Sequence, residues 1–115
     1  MNQEKSIFSK IIDRELAADI VFESNAIIVI KSIQPHAPIH LLAIPKVPFQ
    51  NIHELLASIE HKDLLWELLN TLRTLAIDLG IDTSGYKLVV NTGNDAGQSV
   101  NHLHIHLLGG APLQE

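Results

Sequence analysis

The chain has 115 residues, of which 46% are hydrophobic and 18% charged, a balance typical of a folded protein rather than a disordered one. Its net charge of −5, with no basic cluster, argues against a nucleic-acid partner. No apolar run is long enough to cross a bilayer and the first residues lack a secretory signal, so we expect no membrane partner and a cytoplasmic location. The absence of cysteine excludes disulfides and thiolate chemistry.

The first third of the chain predicts one short helix followed by three strands. Apolar residues on one side of the segment 7–12 predict the helix. Runs rich in Ile, Val and Phe predict strands over 19–23, 26–31 and 39–44. Prolines bracket the loop before the third strand and follow its end.

The rest of the chain predicts a long helix over 60–79 and two more strands over 86–91 and 103–108. The helix is indicated by apolar residues at three- and four-residue steps: Leu65, Leu68, Leu72, Leu75, Ala76 and Leu79. Gly80 follows where a helix would end. No linker or repeat interrupts these elements, so we predict a single domain over residues 1–115, with an α+β fold and a five-stranded antiparallel sheet.

Three of the seven histidines are concentrated at His102, His104 and His106. In a strand, alternate side chains share one face, so these three imidazoles should point the same way while the apolar residues between them face the core. Residues alone leave three interpretations: a solvated polar face, a metal site with two His ligands from the strand, or nucleophilic and acid–base catalysis by imidazole. The other histidines at 36, 53 and 61 are expected to be surface residues outside the site.

The loop over 91–99 favours catalysis at phosphorus. Gly93 and Gly97 permit a close backbone approach, so that amide N–H groups can converge on an anion. Asn91, Gln98 and Ser99 add neutral hydrogen-bond donors. Such donors beside a histidine nucleophile suit phosphoryl chemistry better than metal ligation.

The segment GQSVNHLHIHLLGG, residues 97–110, resembles the signature of the histidine triad (HIT) superfamily. Further segments resemble its Hint branch, the nucleoside phosphoramidases, in order and spacing: IFSKII, PHAPIHLLAIPK and GYKLVVN. The resemblance covers nearly the whole chain. It implies a HIT-like α+β domain, a homodimer whose sheets join, and a mechanism that needs no metal or other cofactor.

The resemblance also implies roles for individual residues. His104 would be the nucleophile that attacks the α-phosphorus, His106 would contact phosphate oxygens, and His102 and His40 would form a supporting relay. Asn91, Gly97, Gln98 and Ser99 would surround the phosphate and leaving group. The base and ribose would be held by a set at the other end of the site: Ile7, Phe8, Ile11, Ile30, Ser32 and Ile33.

Two departures from the Hint pattern bear on this site. Ser32 stands where these proteins usually carry an Asp that holds the ribose hydroxyls, and Ser cannot make a charged bidentate pair. Ser6 and Ser9 stand where zinc-binding relatives have Cys-x-x-Cys, so we expect no structural zinc.

The resemblance predicts a hydrolase that cleaves purine nucleoside 5′-phosphoramidates, derivatives of AMP or GMP, through a nucleotidyl-histidine intermediate. Two alternatives stay open at this point. One is a dinucleoside polyphosphate hydrolase of the Fhit type. The other is a nucleotide-binding or partner-binding dimer with vestigial activity.

Overall fold

A computed structural model describes residues 5–115. The strands are β1 (Ile20–Glu23), β2 (Ile27–Lys31), β3 (Ile39–Pro45), β4 (Tyr86–Val89) and β5 (Ile105–Gly109). The helices are α1 (Ile7–Ile12), α2 (Ile52–Leu56) and α3 (Lys62–Asp78), with short 3-10 turns at Ile59–His61 and Asn94–Ala96. None of the helices within this described part is both long and apolar enough to span a bilayer.

The five strands form one antiparallel sheet in the order β1-β2-β3-β5-β4. The predicted α+β class, with a short N-terminal helix and one long helix, is confirmed. The extent of one domain over residues 1–115 stays a prediction. The sequence did not reveal α2, because five residues are too few to display a helical period. Its start is fixed by the Asn51 side chain, which accepts the backbone N–H of Glu54 at 2.9 Å.

Helix α3 covers one face of the sheet. Its buried stripe is Leu64, Leu68, Leu72 and Ala76, so the predicted stripe is corrected at its two ends: Leu65 is only partly buried, and Leu79 lies beyond the last turn and is 46% exposed. Gly80 ends the helix with φ +74°, and the N–H groups of residues 80 and 81 bond back to the carbonyls of residues 77 and 76. The sheet residues that face α3 include Val29, Leu41, Ala43, Ile105 and Leu107.

Helix α1 packs on the opposite face. The cluster there contains Phe8, Ile11, Ile28, Ile30, Leu42 and Ile44. Because side chains alternate along β3, His40 shares this face with Leu42 and Ile44. Helix α1 therefore leaves a histidine beside the apolar surface that it covers.

Candidate active site

The register between β3 and β5 brings two predicted site histidines together. Leu42 pairs with His106 and His40 with Leu108, so His40 and His106 lie diagonally on the face that also carries α1. The His40 Nε2 lies 2.9 Å from the His106 Nδ1, and the two ring centroids are 5.2 Å apart. The pair is part-buried.

The other two histidines of the segment 102–106, His102 and His104, lie before β5 and not in it. Pairing with β3 begins at Ile105, so the predicted strand over 103–108 starts two residues too early. The alternation of faces nevertheless extends back through this segment, since Leu103 joins the core under α3 while the His104 and His106 rings lie 5.0 Å apart. His102 is 1% exposed and His104 is 5% exposed.

The His104 ring has a defined tautomer. Its Nδ1 lies 2.8 Å from the backbone oxygen of His102. A carbonyl oxygen can only accept, so Nδ1 carries the proton and Nε2 carries the lone pair. Among residues 5–115 no buried side-chain nitrogen or oxygen lacks a partner. His104 Nε2 has no hydrogen bond to any of these described residues, so it is not fully buried and can be reached from the cleft. The arrangement presents a neutral imidazole nucleophile.

The His40–His106 pair has the complementary arrangement. The backbone N–H of His36 donates to His40 Nδ1 at 3.1 Å. His40 must then donate from Nε2 to His106 Nδ1, which leaves the proton of His106 on its own Nε2. One histidine of the row thus offers a lone pair, and its neighbour offers an N–H donor.

Burial favours the neutral form of all four histidines. It lowers the pKa of His40, His102 and His104 below the ordinary histidine value, although a backbone carbonyl bonded to each of the last two acts in the opposite direction. Burial, together with repulsion from the neighbouring histidines, lowers the pKa of His106 to about 4. At neutral pH each ring therefore keeps one donor and one acceptor.

A cleft of about 540 Å³ opens beside these rings. Its walls contain three site histidines and seven residues predicted to bind nucleotide: His40, His104, His106, Ile7, Phe8, Ile11, Ile30, Ser32, Ile33 and Ser99. Phe8, Ile11 and Ile30 are buried beneath it, whereas the Ile33 side chain is 90% exposed at its rim. The cleft has an apolar end formed by α1 and β2, and a histidine end at β5.

Comparisons with known proteins identify relatives of this chain. Residues 5–112 match the family described as "Scavenger mRNA decapping enzyme C-term binding". The purine nucleoside phosphoramidase of Escherichia coli K12 is 40% identical over 110 residues, which cover 96% of this chain and 91% of that protein. An uncharacterized HIT-like protein of Synechococcus elongatus is 49% identical over 96% of this chain and 94% of its own length. A solved HIT family hydrolase from Clostridium thermocellum superposes with a TM-score of 0.91 at 41% identity, over 99% of this chain and 97% of that one.

The chain belongs to the histidine triad family of hydrolases.

The glycine loop of this histidine triad protein differs from the sequence-based expectation. Gly93 and Gly97 have positive φ angles of 81° and 78°, as the turn requires. Their N–H groups do not converge on an open anion site, because each bonds within the loop: Gly93 to the Gln98 Oε1 and Gly97 to the Asn94 oxygen. The expectation that these glycine N–H groups converge on an anion is therefore wrong for this structure.

Gln98 is likewise occupied in holding the loop. Its Nε2 donates to the backbone oxygens of Gln50 at 2.6 Å and Val100 at 2.9 Å. Gly97 and Gln98 do not line the cleft. Gln98 thus joins the loop to the segment before α2. The expectation that it offers a free donor to the phosphate is corrected, since its Nε2 already donates twice within the protein.

Asn91 lies in an adjoining cavity of about 390 Å³, which meets the cleft at His36, His40 and His106. Its Nδ2 donates to the backbone oxygen of Ala96 at 3.0 Å. His102 does not line the cleft but lines a third cavity, together with Ser6 and Ser9. The cleft thus brings together ten of the fourteen predicted site residues, while Asn91 and His102 border it from neighbouring cavities.

Sequence reasoning missed the part that His36 plays. The residue was expected to lie outside the site, yet it lines the cleft, its N–H fixes the His40 tautomer, and its ring packs edge-on against His40 at 5.6 Å. The signal available was the two prolines at 35 and 38, which turn the chain back toward β3. Cleft residues Leu16, Ala17, Ala18 and Val100 were also not predicted.

The described residues of this family member contain no group of three or more His, Cys, Asp or Glu side chains placed to hold a metal ion. Both nitrogens of His102 are engaged within the chain, by Ser6 and Ser9 on one side and the Pro45 oxygen on the other. The polar groups around His104 are therefore neutral and are bonded to one another by hydrogen bonds.

Proposed function

We propose that this protein hydrolyses purine nucleoside 5′-phosphoramidates, with AMP or GMP as the nucleotide product. The observation that carries the proposal is the His104 ring: its Nδ1–H is held by the His102 oxygen, so its Nε2 lone pair is free to attack phosphorus. The name of the Escherichia coli relative, purine nucleoside phosphoramidase, supports the same substrate class.

The shape of the cleft suits a nucleotide in one orientation. A purine base fits the apolar end, where Phe8, Ile11 and Ile30 offer a hydrophobic surface. The phosphate then falls at the histidine end, within reach of His104 and of the His106 Nε2–H. Ser99, exposed at the same end, offers a hydroxyl to the phosphate or to the leaving nitrogen.

The reaction follows in two balanced steps. His104 Nε2 forms a bond to phosphorus while the phosphorus–nitrogen bond breaks, and the leaving nitrogen takes a proton from water in the open cleft and departs as an amine. The His106 Nε2–H donates to a phosphoryl oxygen, where negative charge builds up. Water then attacks phosphorus and gives up a proton to the solvent, and the bond to His104 breaks to release the nucleoside monophosphate and the neutral imidazole. Nothing in these steps calls for a metal or another cofactor.

Two further expectations belong to the proposal. We propose a homodimer, since β4 is an edge strand of the described sheet with Leu88 40% exposed. Three apolar residues of α3 are also exposed: Trp66, Leu69 and Ile77. An exposed apolar surface of this kind supports contact with a second subunit. Light scattering coupled to size-exclusion chromatography tests the dimer. The cytoplasmic location stays a prediction.

Parallel assays of three substrates test the activity: an adenosine 5′-phosphoramidate, a guanosine 5′-phosphoramidate and a diadenosine polyphosphate. The proposal predicts that each phosphoramidate is cleaved with a higher kcat/KM than the diadenosine polyphosphate. Preferential cleavage of the diadenosine compound would favour the Fhit-type reaction instead. Tight AMP binding without cleavage of any substrate would indicate a binding module.

A further inference from the structure

The His102 side chain is held at both ring nitrogens by parts of the chain far apart in sequence. Its Nε2 lies 2.9 Å from the Pro45 oxygen at the end of β3. Its Nδ1 lies 3.0 Å from the Ser6 Oγ and 3.2 Å from the Ser9 Oγ. Because the carbonyl only accepts, Nε2 carries the proton and the serine hydroxyls must donate to Nδ1.

Ser6 also caps helix α1. Its Oγ accepts the backbone N–H of Ser9 at 3.0 Å, which is the usual bond of an N-cap serine. One hydroxyl therefore accepts from the helix and donates to His102. Ser6 does not line the nucleotide cleft, so it has no direct route to the substrate.

The position of His102 matters because its backbone oxygen orients the His104 ring. Both residues precede β5, whose pairing begins at Ile105, so no ladder of strand hydrogen bonds holds them. Within residues 5–115, one backbone bond outside the strands, from Leu103 N–H to the Phe49 oxygen at 2.7 Å, supports this segment. The bonds of the His102 ring to the Pro45 oxygen and to the two serine hydroxyls are the other polar anchors of this segment.

Helix α1 makes a second contact with the same segment. The Phe8 ring packs against the His104 ring, with centroids 4.9 Å apart, and against the His102 ring at 6.1 Å. The helix that lines the apolar end of the cleft thus carries both the ring that packs on His104 and the serine that holds His102.

We propose that Ser6, with Ser9 as a second donor, is a positioning residue for His104. Its hydroxyl holds the His102 ring, which fixes the backbone oxygen that orients His104 Nδ1 and so aims Nε2 into the cleft. The catalytic side of this inference rests on the proposed phosphoramidase function, whereas the geometric side does not.

Three variants measured against wild type test the inference: Ser9→Ala, the double variant Ser6→Ala with Ser9→Ala, and Ser6→Thr with Ser9→Ala. The double alanine variant should lower kcat for an adenosine phosphoramidate about tenfold at unchanged KM, because the nucleophile is misaimed while the base-binding surface is kept. Threonine at position 6 keeps the hydroxyl and should restore kcat. In proton NMR spectra, the His104 Nδ1–H should exchange faster with water in the double alanine variant only.

Asn51→Ala is the matched control, since it removes the cap of α2 without touching a histidine. It should lower Tm by a similar amount and leave kcat unchanged. If the double alanine variant does not fold, Ser6→Ala alone replaces it, with a smaller kcat loss expected because Ser9 remains as a donor.

The inference is overturned if the double alanine variant keeps the wild-type kcat, if Asn51→Ala loses as much activity, or if threonine does not rescue. An unchanged exchange rate of the His104 Nδ1–H would also overturn it. That NMR measurement needs no substrate. A failure of the proposed function, seen as no turnover by the wild-type protein, is therefore distinguishable from a failure of the positioning role.

Discussion

His40 donates from Nε2 to His106 Nδ1 across a distance of 2.9 Å, and the bond joins β3 to β5 on the face of the sheet that carries the cleft. The backbone N–H of His36 fixes the direction of this bond by occupying His40 Nδ1. His106 therefore carries its own proton on Nε2, beside the His104 ring. His40 thus determines which nitrogen of His106 can donate to a phosphate.

Replacing His40 tests this relationship. His40→Ala leaves His106 free to adopt either tautomer, so only part of the molecules would present an N–H to the phosphate. We expect kcat for an adenosine phosphoramidate to fall on the order of 10- to 100-fold, with a smaller change in KM. Steady-state kinetics at neutral pH provide the measurement.

His53→Ala is the control for that experiment, because His53 is an exposed histidine on α2 that does not line the cleft. It should behave as wild type. A His40→Ala variant with the kcat of the control would show that the bond to His106 does not matter for turnover.

The Ile33 side chain tests the placement of the nucleotide. It is 90% exposed at the cleft rim, so Ile33→Ala should leave Tm unchanged. Losing part of a contact with the base should cost about 1 kcal/mol of binding, which is roughly a fivefold rise in KM or in the Kd for AMP. Ile59→Ala removes a similarly exposed isoleucine, 79% accessible, outside the cleft. Equal affinities in the two variants would place the base elsewhere.

Ser32→Asp tests the ribose contact. Ser32 lines the cleft at the end of β2, and its Oγ accepts the N–H of Gln34 at 3.3 Å. A carboxylate at this position could accept bonds from both ribose hydroxyls. We expect tighter binding of AMP and a larger preference of AMP over 2′-deoxy-AMP, by about threefold or more. Calorimetric titration of both nucleotides decides, and an unchanged ratio would mean that Ser32 does not face the ribose.

The buried histidines predict how stability depends on pH. Burial lowers the pKa of His106 to about 4, below the value of about 6.5 in an unfolded chain. Between these two values the unfolded state binds more protons, so the free energy of unfolding should decrease as pH falls from about 6.5 toward about 4. Urea unfolding at pH 7 and pH 5 measures the decrease.

His106→Gln should weaken this pH dependence, because glutamine does not titrate. The remaining slope would come from the other histidines with lowered pKa and from carboxylates such as Glu23, whose pKa is lowered by bonds to Lys46 and Arg14. The same slope in variant and wild type would contradict the assignment of His106 as a neutral, buried group.

The sequence predicted a five-stranded antiparallel sheet and the long helix, because the apolar residues of each element recur with the period of a strand or a helix. It did not predict the order of the strands in the sheet. It also predicted that Leu103 and Ile105 face the core while the histidines face the other way. It did not predict that regular pairing starts only at Ile105, since the start of a ladder depends on the partner strand.

Side-chain hydrogen bonds were the other part that the sequence could not supply. Gln98 was predicted as a donor to the phosphate, and only its bonds to Gln50 and Val100 in the structure reveal that it holds the loop. The bond from His36 N–H to His40 depends on a loop conformation that composition does not specify. From the sequence, the serines at 6 and 9 indicated only that a structural zinc is not expected. In the structure both serines bond to His102, which the sequence did not reveal.

The central claim is that His104 Nε2 is the nucleophile, and trapping the covalent intermediate tests it most directly. The protein is mixed with an adenosine phosphoramidate, quenched rapidly at alkaline pH, digested and mapped by mass spectrometry. We predict an AMP adduct on the peptide that contains residues 102–106, localised to His104, with no adduct in His104→Ala and a kcat lower by on the order of 10⁴-fold or more. An adduct on another residue, or turnover by His104→Ala at the wild-type rate, would contradict the account.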